Sequence, residues 1–101
     1  MLLWLALHLD GRNKIIKMSK NTEYIVPDDA PKEDETYKHY KGDLYKVIFL
    51  TGHNDPDELC VVYEPVVKSD HGFEKYSRLL SSWNEVVDWN GERVKRFTKV
   101  N

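Results

Sequence analysis

The feature that most constrains the fold is an Asn-Gly pair at positions 90 and 91, which lies between two segments of strand-forming residues. A type I′ turn requires positive φ at both central residues, and asparagine followed by glycine adopts it readily. The segments on either side, residues 85–89 and 92–97, contain valine and aromatic side chains. We therefore predict an antiparallel hairpin in the last part of the sequence.

The region before this hairpin also consists of short segments typical of strands, and none has the 3.6-residue period of an amphipathic helix. Residues 45–50 are apolar on both faces, as in a central strand. Residues 37–40 form a preceding strand, joined to it by a turn at residues 41–43. Two further strands are predicted over residues 59–63 and 73–80, with a helical turn over residues 81–84 that has a serine as its N-cap.

Residues 37–101 therefore contain five or six short antiparallel strands and at most one short helical turn. A segment this short has no helices with which to cover both faces of a flat sheet, and closing the sheet removes its open edges. We predict an all-β fold, namely a small SH3-like antiparallel barrel. The alternative is an open sheet that carries one short helix.

Residues 1–36 are predicted to be a largely unstructured N-terminal extension and acidic linker. The apolar run at residues 1–9 is about half the ~20 residues that a transmembrane helix needs, so no membrane association is expected. The residues that follow Met18 are polar, as is common at the start of a protein, and we expect Met18 to be the natural first residue. Residues 21–36 are acidic and contain two prolines, although residues 24–26 are able to form an edge strand.

Composition excludes several classes of function. The formal charge is −2, from 15 basic and 17 acidic side chains, so the molecule lacks the basic field of a typical nucleic-acid-binding domain. The one cysteine, Cys60, forms no internal disulfide and is expected to be a buried core residue. A lone thiol fits a reducing compartment, and we predict a cytoplasmic location. The small core leaves a homodimer open as well as a monomer.

The ionisable residues form no recognised catalytic motif. His39, His53 and His71 do not have the spacing of zinc ligands, and no serine lies in a nucleophile-elbow pattern. No glycine-rich phosphate loop occurs either. We therefore predict a protein that is not an enzyme and has neither a cofactor nor a metal. A small hydrolase that uses His39 or His53 with loop carboxylates is the least supported alternative.

Several motifs resemble those of a known family. Residues 37–47 read Tyr-x-His-Tyr-Lys-Gly-x-x-Tyr-x-Val, and the matching positions that follow are His53, the Val-Val-Tyr at 61–63, Arg78, Trp83, Gly91, Arg96 and Phe97. Their order and spacing resemble the bacterial and phage family called domain of unknown function 1653, over residues 37–100. Leu79 stands where that family usually has proline. The resemblance implies a domain of this kind and no particular activity.

Aromatic and basic residues indicate where a ligand would bind. If the sheet curls, the segment around Tyr37, His39 and Tyr40 meets the segment around Arg78 and Trp83. Aromatic rings beside a guanidinium stack planar groups, while the cation binds a phosphate. We predict a binding module for a planar, nucleotide-like anion or a single nucleic-acid strand. The alternative is a protein-interaction adaptor that uses an exposed edge strand and the acidic linker.

Overall fold

The computed structural model describes residues 14–19 and 22–101, and it divides into two compact units that meet in sequence at Ala30 and Pro31. The first unit contains an antiparallel hairpin of β1 (Lys14–Ser19) and β2 (Thr22–Val26). This hairpin lies in the extension that the sequence predicted to be largely unstructured, and its isoleucines favour strands over coil. The apolar run at residues 1–9 lies outside the described residues. The domain boundary after residue 36 and the start at Met18 stay predictions.

The second unit is mainly β and contains one helical turn. Its elements are β3 (Thr36–His39), β4 (Leu44–Asn54), β5 (Asp57–Pro65), β6 (Tyr76–Leu79), α1 (Leu80–Trp83), β7 (Val86–Trp89), β8 (Glu92–Lys95) and β9 (Phe97–Lys99). Five of these strands form one antiparallel sheet in the order β6-β5-β4-β3-β9, while β7 and β8 form a separate hairpin. No helix of the described chain is long and apolar enough to cross a membrane.

The predicted antiparallel, mainly β architecture is confirmed, but closure into an SH3-like barrel is not. In the part of the chain that the structure describes, β6 and β9 are the outer strands of the sheet, and no ladder joins them. The backbone pairing is therefore that of an open sheet with one short helix. One face of this sheet, which we call the inner face, is covered by α1.

The Asn-Gly hairpin is confirmed. Asn90 and Gly91 have φ values of 52° and 82°, as a type I′ turn requires, and Val87 lies opposite Val94 in the ladder. Its second strand ends at Lys95, however, and does not continue to residue 97 as predicted. Arg96 interrupts it, because its N–H donates to the Glu85 carbonyl while its carbonyl accepts from the Tyr40 N–H. The chain then continues as β9 in the five-stranded sheet.

A β-bulge in β4 determines which apolar residues face inward. Val47 pairs with Tyr63 and Phe49 pairs with the next residue, Val62, so that Ile48 is an extra residue on β4. An extra residue exchanges the two faces of a strand beyond it. Leu50 consequently lies opposite the buried Val61, and Phe49 is 44% exposed. The sequence predicted a regular strand through Phe49, in which side chains alternate between the two faces. A bulge cannot be recognised from the sequence of a strand that is apolar on both faces.

The helical turn has a different cap from the one predicted. Leu79, which directly precedes the turn at the N-cap position, makes no side-chain hydrogen bond to it. Instead the Glu58 carboxylate, from β5, accepts hydrogen bonds from the Ser81 hydroxyl at 3.1 Å and the Ser81 N–H at 3.4 Å. A carboxylate at a helix N-terminus satisfies free backbone donors. The expected serine cap is thus replaced by an acidic residue that is distant in sequence.

Candidate functional site

Arg78 lies on the inner face, on the outer strand β6. It lies on β6 opposite Val61, which places its side chain on the same face as the buried Tyr63. Its Nη1 donates to Ser82 Oγ at 3.0 Å and its Nε to Tyr63 Oη at 3.4 Å. Its guanidinium carbon lies 5.7 Å from the centre of the Phe97 ring, within range of a cation–π contact.

Among residues 26–101, whose side chains the structure describes, this guanidinium has no counter-ion. Among residues 26–101, no carboxylate oxygen lies within 4.0 Å of Arg78, whereas Arg93 and Arg96 each pair with an acidic residue. Both groups that Arg78 contacts by hydrogen bonds are neutral hydroxyls. Arg78 is itself partly buried, and a partly buried charge without a partner is unfavourable. The charge of Arg78 is therefore balanced by no acidic side chain among residues 26–101.

His39 lies next to this charge on the same face. It is opposite Phe97 in the ladder, and the two rings meet edge to face with their centres 5.1 Å apart. Burial lowers the pKa of His39 below its ordinary value of 6.5, and the positive charges of Arg78, Arg96 and Lys41 lower it further, against a small opposing effect of Asp43. Three of the four charged side chains that act on His39 are therefore basic.

The depressed pKa of His39 predicts a loss of stability in mild acid. The unfolded chain binds the His39 proton more readily than the folded one. The contribution of neutral His39 to the free energy of unfolding is therefore complete above pH 6.5, and it is lost as the pH falls towards the lower pKa of the folded state. We expect the melting temperature of the parent to fall more between about pH 7.5 and about pH 5.5 than that of His39→Asn. His71→Asn, which changes an exposed histidine, is the control. Equal falls in parent and His39→Asn would contradict the assignment.

Two tyrosines border the site where it opens to solvent. Tyr45 and Tyr76 both contact Tyr63, with ring centres 5.3 and 5.9 Å apart, and both line a groove of about 870 Å³ beside the loop of residues 66–75. Burial raises the pKa of Tyr45, and nearby Asp43, Tyr63 and Tyr76 raise it further. Its hydroxyl therefore stays protonated and able to donate a hydrogen bond. We call Arg78 with His39, Tyr45, Tyr76 and Phe97 the Arg78 site.

Tyr37 and Trp83 lie beneath the site. Trp83 is 2% exposed and stacks on Phe97 with ring centres 3.7 Å apart, and it meets Tyr37 edge to face. The Tyr37 hydroxyl donates to Glu35 at 2.9 Å. Burial raises the pKa of Glu35, but hydrogen bonds from Lys99, the Lys32 N–H and Tyr37 outweigh it, so the pKa lies below its ordinary value of 4.5. These side chains form the packed layer beneath Arg78 and His39.

The structure brings together four of the five residues that the sequence singled out. Arg78 and His39 are partly exposed on the inner face, and Tyr37 and Trp83 lie below them. Tyr40 lies beyond the end of β3, where its ring contacts Trp89 rather than Arg78. That these five residues bind a ligand stays a prediction.

Sequence reasoning missed three members of the site, Tyr45, Tyr76 and Phe97. Two of them had a signal in the sequence. Tyr45 belongs to the opening motif and Phe97 to the closing one, and each has a basic neighbour, Lys46 or Arg96. Tyr76 belongs to neither motif, and the strand predicted over residues 73–80 is shorter in the structure, where β6 comprises Tyr76–Leu79.

The histidines are distributed over different elements. His39 ends β3 and His53 lies near the end of β4, where its Nδ1 is 3.0 Å from the Pro56 carbonyl oxygen. His71 lies in the exposed loop between β5 and β6. Among the residues described, no group of three or more histidine, cysteine or acidic side chains is arranged to hold a metal ion.

The fold and the site define a class: a small antiparallel β domain in which aromatic rings surround a partly buried arginine. The sequence profile of the protein family of unknown function called DUF1653 matches residues 35–99. The chain therefore belongs to the DUF1653 family, as its motifs indicated. No curated protein matches the chain.

A solved structure is similar to this protein over most of its second unit. It is the crystal structure of a DUF1653 protein from Bordetella bronchiseptica, with 36% sequence identity and a TM-score of 0.61. The match covers 71% of this chain and 88% of the other. Its description assigns no activity, so the site must be interpreted from its own chemistry.

Proposed function

We propose that this protein is a non-enzymatic binding module whose ligand is a small planar anion held at the Arg78 site. The observation that carries the proposal is the absence, within residues 26–101, of any carboxylate partner for the partly buried Arg78. An anionic ligand supplies that partner. Hydrogen bonds between guanidinium and phosphate or carboxylate are short and strong, and a planar guanidinium makes two of them at once.

The surroundings of Arg78 favour a ligand that carries a ring as well as a charge. Tyr45 and Tyr76 line the mouth of the groove, and its volume of about 870 Å³ lies within the range of small-molecule sites. A base or another planar ring can stack on these tyrosines while its phosphate reaches Arg78. A nucleotide combines a planar ring with a phosphate, so we propose a nucleotide-like ligand.

The same features support binding rather than catalysis. The groups that contact Arg78 are hydroxyls and aromatic rings, which orient and hold an anion. Cys60, the one cysteine of the sequence, is a buried free thiol and is not exposed to the groove. A free thiol also supports a reducing, cytoplasmic environment, which we propose as the location.

Substitution of Arg78 tests the proposal directly. We expect saturable binding of at least one nucleoside monophosphate, measured by calorimetry on the full chain, and a loss of roughly 10- to 100-fold in affinity in Arg78→Gln, since a hydrogen bond to a charged group contributes about 1.5–3 kcal/mol. Arg93→Gln is the matched control, because Arg93 is 72% exposed and paired with Asp88. Failure of all four nucleoside monophosphates and of inorganic phosphate to bind, or equal affinity in Arg78→Gln, would overturn the proposal.

The adaptor function is less well supported. An adaptor that adds a partner strand needs an outer strand of useful length, and the outer strands of this sheet, β6 and β9, have four and three residues. Short edge strands are a common defence against pairing with another chain. The Arg78 site therefore carries the proposal, and the acidic linker is not assigned a role in it.

A further inference from the structure

The aromatic contacts of the Arg78 site continue beyond it, around the end of β3. His39 lies against Tyr40 with ring centres 4.4 Å apart, and Tyr40 meets Trp89 edge to face at 5.1 Å. Trp89 is 40% exposed although it is a large aromatic residue. We infer that this continuous row, from Arg78 through His39 and Tyr40 to Trp89, binds a single-stranded oligonucleotide, of which a mononucleotide occupies only the first part. The inference rests on the proposed function, because its first position is the Arg78 site.

At Trp89, the end of the row farthest from Arg78, the surface forms a cleft. A cleft of about 160 Å³ at this end is lined by Lys38, His39, Tyr40, Trp89, Val94, Lys95 and Thr98. Tyr40 lies just beyond β3, while Trp89 and Val94 come from the separate hairpin of β7 and β8. A cleft with aromatic walls and lysines at its rim accepts a planar ring next to a negative charge.

The lysines around this cleft are free to bind an anion. Among residues 26–101, Lys38, Lys41 and Lys95 take part in no ion pair, and the Lys41 ammonium lies 5.9 Å from the centre of the Tyr40 ring. The nearby carboxylates of Glu85 and Asp88 are already paired with arginines. Two acidic residues remain: Glu92, which lies opposite Trp89 in the ladder, and Asp43, which acts electrostatically on His39.

A nucleic-acid strand matches this alternation of rings and cations. Each nucleotide adds one base and one phosphate, so a strand that starts at Arg78 brings further bases to Tyr40 and Trp89 and further phosphates to the lysines. A duplex does not, because its bases are already stacked and paired. An acidic peptide supplies the charges but offers no ring for Trp89. The row therefore favours a single strand over both alternatives.

The dependence of affinity on ligand length tests this inference on the full chain. We expect oligothymidylates of about four to eight nucleotides to bind at least about 10-fold more tightly than thymidine monophosphate at the same salt concentration. Trp89→Ala should weaken oligonucleotide binding by roughly 5- to 100-fold and leave monophosphate binding unchanged. Lys95→Gln should reduce the salt dependence of oligonucleotide binding by close to one phosphate contact. Phe49→Ala, which changes another exposed aromatic residue, is the control.

The outcomes separate this inference from the proposed function. Oligonucleotides that bind no more tightly than the monophosphate, or equally well in Trp89→Ala and Lys95→Gln, overturn the inference and leave the Arg78 site intact. A polyglutamate of matched length that binds as tightly as the oligonucleotide overturns it as well, because charge alone would then explain the affinity. Absence of binding by both monophosphate and oligonucleotide overturns the inference and the proposed function together.

Discussion

Replacing Trp83 by alanine is expected to lower the free energy of unfolding by about 3–5 kcal/mol. Trp83 is 2% exposed, stacks on Phe97 and meets Tyr37 and Tyr63 edge to face at 5.2 and 5.1 Å. Domains of this size are stable by only about 5–15 kcal/mol, so the variant should lose a large part of its stability and unfold at a clearly lower temperature than the parent. Urea denaturation followed by circular dichroism measures the change.

Trp89→Ala is the matched control for this prediction. Trp89 is the same residue type, yet it is 40% exposed and contacts Tyr40 at the surface. We expect its replacement to cost about 1 kcal/mol or less. Similar losses in the two variants would show that α1 does not cover the core of the second unit as the structure describes.

Replacing Arg96 by alanine is expected to lower the free energy of unfolding by about 2–3 kcal/mol. The Arg96 side chain is 19% exposed. Its Nε donates to the Ser82 carbonyl at 3.0 Å and its Nη2 pairs with the Glu85 carboxylate. Arg96 thus links the end of α1 to the point at which the chain passes from β8 to β9. Removing it takes from the Glu85 carboxylate its arginine and from the Ser82 carbonyl one of two donors, since the Glu85 N–H still donates to that carbonyl at 3.2 Å. Chemical denaturation measures the cost.

Two further variants sharpen this prediction. Arg93→Ala breaks an ion pair whose side chains are 72% and 81% exposed, and we expect a change below about 0.5 kcal/mol. Arg96→Lys keeps the charge but not the planar set of donors, so it should recover only part of the lost stability. A lysine variant as stable as the parent would mean that charge alone matters at this position.

Local chemistry made part of the fold predictable from the sequence. The Asn90-Gly91 turn, the paired strands over residues 37–40 and 45–50, and the strand around the Val-Val-Tyr motif all appear at or near their predicted places. Each of them depends on neighbours in sequence, such as a turn that tolerates positive φ or a run of β-branched residues.

The remaining features depend on partners that are distant in sequence. The strand predicted over residues 92–97 divides at Arg96 because of hydrogen bonds to Glu85 and Tyr40, which a local pattern does not contain. The bulge at Ile48 is set by pairing with β5. The sequence groups Tyr40 with Arg78 because a curled sheet is expected to bring their segments together, but the contacts of Tyr40 are with His39 and Trp89. The order of strands in the sheet decides these neighbours.

The pairing of β9 with β3 also bears on when the site comes into being as the chain is synthesised. These strands are the last and first of the second unit, and His39 lies opposite Phe97 in their ladder. Arg78, on β6 at the opposite edge of the sheet, lies 5.7 Å from the centre of the Phe97 ring. A ribosome that has made residues 31–90 has already produced His39, Tyr45 and Arg78, but not the Phe97 ring that all three contact. Such a contact between distant segments forms late and slowly. The Arg78 site is therefore complete only after Phe97 has joined the sheet.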